Sequence, residues 1–440
     1  MASNPLVDIF KIRDLRDRVL FTLFILVIFR VGAAIPIPGI NVNALQTYFM
    51  TQEAAGGISV TQYLDFFAGG AFSRFSVFML GIMPYISMSI IMQLLLLVFP
   101  KLKRISEEEG GRKKIQRYTR YGTVIVCLIQ SAAVTVYADS IPDAITLPRG
   151  LYTVVSMITV TSGTVFLMWM GEQINQRGIG NGISLLIFAG IVAQMPSAFF
   201  TLFQEIQRGN LNPVFVIVVF IMFVVVVALV IYEQRGQRKI PVHYAKRVVG
   251  RKMYGAQNTY VPFKINPSGV IPVIFAASVM TFPLQIAQSL GPGVQWLQQL
   301  SVWLSPGGAP YIIMYTLLIV FFAYFYTQVT LNPIEISKNI REHGGSIPGI
   351  RSEKMEEYFT RILNRIILPG ALFLAFIAVI PTLVQQLFNF PQQLAFLMGG
   401  TSLLIMVGVD LDLMSQIEGQ LRMHHHEGLT KKGRIRSRNL

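Results

Sequence analysis

Apolar residues in this chain gather into runs of about twenty, separated by shorter polar or basic stretches. A helix needs about 20 mostly apolar residues to cross the hydrocarbon of a bilayer, because each residue advances it by about 1.5 Å. Ten segments meet that requirement: 19–35, 74–99, 118–138, 151–171, 183–203, 213–232, 269–290, 310–331, 367–386 and 395–414. Several contain Pro or Gly, which membrane helices tolerate where neighbours re-satisfy the freed backbone groups. Between the first two segments lies a semi-polar stretch, Gly39 to Ser73, that runs into FFAGGAFSRF. It is too broken by glycine to span, and a short helix packed inside the protein or on its outer face is expected there. The pattern predicts an all-α membrane protein with ten transmembrane helices.

Composition agrees with a bilayer as solvent. Of 440 residues, 53% are hydrophobic and 13% charged, with mean hydropathy +0.54; soluble domains carry about 25% charged residues. The net charge is +15, and its placement decides what it means. About 33 of the 37 Lys and Arg residues fall on one side of the predicted spans. That side holds the N-terminus, the loops 100–117, 172–182, 233–268 and 332–366, and the tail 415–440. Arg74, Arg149 and Arg208 fall on the other side, and Arg30 lies within the first span, where snorkelling toward the surface is its default role. Basic loops stay in the cytoplasm, so both termini are predicted to be cytoplasmic. The charge is thus mostly topology, although the two longest loops retain enough of it for a specific nucleic-acid contact. The charged start, MASNPLVDIFKIRDLRDRV, leads into a full-length span and does not read as a cleavable signal.

Ten spans divide into two halves of five, 1–212 and 213–414, and an odd number per half inverts the second relative to the first. Inverted halves place a pathway or binding site at their interface near the midplane. A short match supports the division: Gly81-Ile82-Met83-Pro84 opens the second span and Gly269-Val270-Ile271-Pro272 the seventh, each the second span of its half.

Chemistry-bearing residues are scarce in the spans. Cys127 is the one cysteine, so no intrachain disulfide forms, and the histidines, including the run His424-His425-His426, lack metal-motif spacing. Asp410, Asp412 and Glu172 sit near span ends. An ion-coupled transporter keeps ionisable groups at depth and an intramembrane enzyme keeps a catalytic pair; neither pattern is present. No cofactor, metal or enzymatic activity is expected, and an inverted-repeat transporter of a small solute is the alternative that topology leaves open. For a single buried isoleucine core packing is the default, and for Ser87, Gln93, Gln130 and Asn266 the default is helix–helix hydrogen bonding.

Longer motifs carry a resemblance. FRVGAAIPIPG, FAGGAFSRFSVFMLGIMPYISMSIIMQLL, EEGGRKKIQRYTRYG, FLMWMGEQINQRGIGNGISLLIFAGIV, QRKIPVHYAKRVVGRKMYGAQNTYVPFKINPSGVIPVIFA, GGSIPGIR and GGTSLLIMVGV resemble, in order and across both halves, the SecY/Sec61-alpha family of protein-conducting channels. The resemblance implies an hourglass pore between the two five-helix halves, with an isoleucine ring at Ile82, Ile86, Ile187, Ile274 and Ile405. It implies a plug near 63–74, including Phe67, Gly69, Gly70, Ser73 and Arg74. Spans two and seven would line a lateral gate to lipid, with Pro84, Ser87, Gln93, Gln130, Asn266 and Pro272 among its residues. The basic loops would dock the ribosome, through its RNA, and the SecA motor, chiefly at Arg251, Lys252 and Arg351; SecE and SecG would be the companion subunits, and secretory and membrane proteins the substrates. After GIR the family usually has Pro-Gly where this chain has Ser352-Glu353, which is expected to loosen the turn beyond Arg351.

Overall fold

The computed structural model describes residues 12–54, 65, 68–139, 141–209, 212–244, 247–249, 252–254, 258–290, 296, 299, 303–304, 308–388 and 400–432. Helix occurs in every one of the ten predicted segments. In chain order the helices are α1 (Arg13–Ala34), α2 (Val42–Ala54), α3 (Met83–Val98), α4 (Pro100–Glu107), α5 (Gly111–Asp139), α6 (Arg149–Arg177) and α7 (Gly182–Gln207), then α8 (Pro213–Arg235), α9 (Ile271–Leu290), α10 (Ala309–Thr330), α11 (Pro333–Glu342), α12 (Met355–Phe388) and α13 (Gly400–Lys432). Among the described residues, seven helical stretches are long and apolar enough to cross a bilayer, eight if α3 and α4, bent by 103° at Phe99, count as one. The first predicted span, α1, misses that criterion because Arg13, Asp14, Arg16, Asp17, Arg18 and Arg30 punctuate it.

Three boundaries differ most from the hydropathy reading. The second span begins as helix only at Met83, and residues 74–82 form turns and an isolated bridge. The ninth begins at Met355 rather than 367, because its first turns are polar and capped by ionic pairs such as Arg361–Glu357 at 2.9 Å. The tenth continues past 414 to Lys432. Apolar length measures the part of a helix inside hydrocarbon and is blind to polar turns beyond it.

Burial follows the helical period even where the sequence is apolar all round. On α8 the buried residues are Val219, Val226, Val230 and Glu233, one face of the helix, while Ile217, Val218, Phe220, Ile221, Val224 and Val225 are exposed. A soluble fold would hide those side chains; here lipid takes them. Protein-facing stripes are instead small and weakly polar. Thr119, Thr123, Cys127, Ser131 and Thr135 of α5 face Ser156, Val160, Gly163 and Thr164 of α6, with Thr135 Oγ1 donating to Ser156 Oγ at 3.4 Å. Without a hydrophobic drive between helices, close approach of small residues is what packs them.

The described residues group into two compact units: those of Met1–Ser197, Gln285–Gln298 and Ile405–Leu440 in one, and those of Ala198–Leu284 and Gln299–Leu404 in the other. In the first, the start of α1 and the body of α13 meet around Leu15, Ile179, Leu413 and Ile417. In the second, the described part of the loop beyond α8 is built on strands rather than helix. It forms β1 (Gln237–Tyr244), β2 (Arg247–Val249), β3 (Lys252–Tyr254) and β4 (Asn258–Lys264), and β5 (Gly345–Ser346) adds to β1. β1 pairs antiparallel with β4, Ile240 opposite Val261. Alternation puts Ile240, Val242 and Phe263 inward against Met355, Phe359 and Leu363 of α12, and turns Lys239 and Lys264 outward; Arg238, opposite Phe263 at the start of the strand, is exposed as well.

Gly163 shows how tight the first unit is: a Cβ there would lie 2.1 Å from the Val77 carbonyl oxygen, an immovable backbone atom. Gly163→Ala is therefore expected to force α6 off the 74–82 segment at a cost of about 1–3 kcal/mol, read as a lower thermal midpoint of the detergent-solubilised protein.

Candidate functional site

The two G-x-x-P motifs adopt one local geometry. Gly81 and Gly269 both have positive φ, 57° and 60°, which a residue with a Cβ rarely takes. Each follows a tight turn, Gly81 N donating to the Phe78 carbonyl at 2.8 Å and Gly269 N to that of Asn266 at 3.4 Å. Pro84 and Pro272 then stand in the first turn of α3 and α9, where a missing N–H costs nothing. Ile86 N reaches the Ile82 carbonyl at 3.2 Å, and Ile274 N reaches that of Val270 at 3.3 Å, so Ile86 and Ile274 occupy equivalent positions.

All five isoleucines singled out by the resemblance are buried: Ile82, Ile86, Ile187 and Ile405 in the first unit, and Ile274 in the second, none more than 6% exposed. Ile125, Ile158 and Ile313, by contrast, are about 60% exposed on lipid-facing surfaces.

In the 63–74 segment, Asp65 and residues 68–74 are described, whereas Phe67 lies outside the described residues. Asp65 organises this stretch. Its Oδ1 accepts from Ser73 N at 2.8 Å and its carbonyl from Gly70 N at 3.0 Å. Desolvation pushes the Asp65 carboxyl above the usual range, opposed by hydrogen bonds from Ser73 and Phe72 and by the charge of Arg74. Gly69 and Gly70 have φ of 70° and 82°. A Cβ on Gly69 would lie 2.6 Å from the Cα of Gly190 on α7, so only glycine fits. Beyond the segment, the chain is stitched to the end of α1: Ile37 N donates to the Phe75 carbonyl at 2.8 Å and Val77 N to that of Ile35 at 2.9 Å. Phe75 itself holds φ 45°, and its ring stacks on Tyr137.

Among the polar residues of the expected gate, Gln130 and Asn266 are buried while Ser87 and Gln93 are half-buried. Asn266 is engaged in its own turn, donating to the Gly269 carbonyl at 3.0 Å and accepting from Ser268 Oγ at 2.9 Å. The Gln93 Oε1 is buried without a hydrogen-bond partner.

Of the basic loop residues, Arg251 lies outside the described residues and Lys252 starts β3. Arg351 is exposed and caps a 3₁₀ turn at Ser352–Lys354, closed by Lys354 N on the Arg351 carbonyl at 2.9 Å. Ser352-Glu353 therefore makes a hydrogen-bonded turn rather than the looser one expected. Arg351, Lys354, Glu357, Tyr358 and Arg361 surround an open cavity of about 380 Å³. On β1, Lys239 Nζ lies 4.8 Å from the centre of the Tyr260 ring.

Hydropathy and spacing missed four contributors. Arg30 Nη1 donates to the Gly69 carbonyl at 3.0 Å, and Gln194 Nε2 to the Asp65 carbonyl at 3.0 Å. Glu172 is held by a two-pronged bond from Arg120, at 2.8 and 2.7 Å, and by Gln116 at 3.3 Å. Glu233, in the last turn of α8, is the one buried charged side chain among the described residues and lies over Gly370. A polar residue in or beside a span signals each of them, but not its partner.

The helices, the lipid-facing surfaces and the almost uncharged interior define a polytopic α-helical membrane protein. The family described as SecY matches residues 76–414, and the chain belongs to that family. It is 48% identical over 418 residues to the protein translocase subunit SecY of Borreliella burgdorferi, covering 94% of this chain and 95% of that one. It is 40% identical over 447 residues to that of Escherichia coli K12, with 99% of each chain covered. Among solved structures its fold is similar to one described as a protein conducting channel, with TM-score 0.66, 20% identity and 91% of each chain covered. It is also similar to Sec61 in the canine ribosome-channel complex from the endoplasmic reticulum, with TM-score 0.61, 19% identity and 91% of each chain covered.

The Arg120–Glu172 pair joins α5 to α6 at a carboxylate only 11% exposed. Arg120→Ala is expected to destabilise by about 1.5–3 kcal/mol through the unpaired carboxylate, and Arg120→Ala with Glu172→Ala by less, compared by thermal unfolding in detergent.

Proposed function

We propose that this chain is the channel subunit of a bacterial protein translocase, residing in the plasma membrane with both termini in the cytoplasm. Near-complete coverage at 40–48% identity to translocase subunits carries the reading. Secretory chains pass through the constriction formed by Ile82, Ile86, Ile187, Ile274 and Ile405, in a pore between the halves 1–212 and 213–414. Apolar side chains suit that place, since they close around a passing chain and resist ion flow by dewetting. The 63–74 segment stoppers the outer side. Spans two and seven part to release apolar segments into lipid, and the equivalent geometry at Gly81–Ile86 and Gly269–Ile274 supports paired roles for them.

Energy comes from partners. The chain has no ATPase of its own; SecA or the translating ribosome drives it, docking on the basic loops 233–268 and 332–366, with SecE and SecG as companion subunits. The outward face of the β1–β4 hairpin and the cavity at Arg351 offer cations at fixed spacing to RNA phosphates.

Site-specific crosslinking tests the path. In a Cys127→Ser background, single cysteines at Ile86, Ile187 or Ile405 are expected to crosslink to a secretory precursor stalled in the membrane, and a lipid-facing control at Val218 is not. Absence of crosslinks at every ring position, with stalling verified, would reject the channel reading. For docking, ribosome affinity is expected to fall at least about tenfold between 50 and 200 mM salt. Arg351→Ala and Lys354→Ala should each reduce the slope of log affinity against log salt by about one.

A further inference from the structure

Around Gly69 and Gly70 the described chain leaves the helix for turns, and carbonyls beside that break draw hydrogen-bond donors from elsewhere. Two are met by long side chains from different helices. Arg30, 39 residues upstream on α1, donates to the Gly69 carbonyl, and Gln194, 129 residues downstream on α7, donates to the Asp65 carbonyl, each at 3.0 Å. Between them Gly69 presses its Cα on Gly190 of α7. All these residues belong to the first compact unit.

From this geometry we infer that Arg30 and Gln194 are positioning residues that latch the plug segment by its backbone. The inference rests on the reading of 63–74 as a plug and adds what holds it. The latch has three properties. It grips carbonyl oxygens, so it is indifferent to the side chains the segment carries. To the burial of Ala68, Ala71 and Phe72 it adds only one charge-assisted and one neutral hydrogen bond, a tie weak enough to open. And it acts on the segment ahead of Phe75, since Phe75 and Val77 are stitched to Ile37 and Ile35 by backbone bonds that need not break. Release therefore pivots near Arg74–Phe75, where Phe75 already holds a positive φ of 45°. Arg74 lies within electrostatic reach of both Arg30 and Asp65, so a like charge beside the latch keeps it from being over-tight.

The test uses the complete translocase complex reconstituted in vesicles without substrate, in a Cys127→Ser background. Two quantities are read: anion leak across the membrane, and the rate at which a cysteine at Ser73 reacts with a membrane-impermeant maleimide added from the outer side. Arg30→Ala and Gln194→Leu are each expected to raise both by about three- to tenfold, the effect of one lost hydrogen bond on a two-state seat. Arg30→Lys should restore most of the seal, since an ammonium can reach the same carbonyl. Gly190→Ala, which touches neither side chain but crowds Gly69, should loosen the segment as well. Deletion of 65–73 separates the two ideas. If the deletion leaks and the Arg30 and Gln194 variants, shown to be folded by their thermal midpoints, do not, the latch is wrong and the plug stands. If the deletion does not leak, the plug reading and the latch fall together.

Discussion

A backbone N–H or C=O inside a membrane has no water to bond, and each one left open costs several kcal/mol. That constraint explains most of this structure. Helices satisfy their own groups, which is why nearly all the apolar sequence is helical. Among the described residues of the first unit, those from Gly69 to Ile82 depart from helix next to spans, and close contacts are concentrated there. Asp65 closes one turn through Ser73 and Gly70, the residues after α1 supply Ile35 and Ile37 to Val77 and Phe75, and Arg30 and Gln194 donate to the carbonyls of Gly69 and Asp65. Gly163, Gly69 and Gly190 are small because neighbouring backbones pass within a Cβ's width.

The same solvent logic sets the chemistry of the interior. Lipid is as apolar as leucine, so burial does not select apolar residues, and the faces that meet protein are marked by Thr, Ser and Gly instead. Charge is kept to the ends of spans, where Arg120 and Glu172 pair at partly wet positions and Glu233 sits in a final turn. Among the described residues such an interior is nearly free of fixed charge, which suits the conduit proposed above.

Outside the membrane the rules revert to those of soluble proteins. The β1–β4 pair alternates inward Ile240 and Val242 with outward Lys239 and His243, and it rests on the polar extension of α12 through Phe263 and Phe359. A basic surface is thus mounted on a small hydrophobic core of its own, which holds its charges at fixed spacing.

The sequence by itself determined the spans, their likeness in the two G-x-x-P motifs and the one-sided charge, because hydrocarbon thickness, glycine's positive φ and the positive-inside rule each act on consecutive residues. It could also carry the isoleucines and the plug segment by resemblance, since those lie in long ordered motifs. Only the tertiary structure decided what Arg30 and Gln194 do. Hydropathy makes Arg30 a snorkelling side chain and Gln194 a tolerated polar residue, and their partners are carbonyl oxygens 39 and 129 residues away. A carbonyl is the same in every residue and leaves no mark in the sequence. For the same reason the hairpin in 233–268 and the early start of α12 emerged only in three dimensions: their short alternations acquire meaning once Ile240, Phe263 and Phe359 are brought together to share a core.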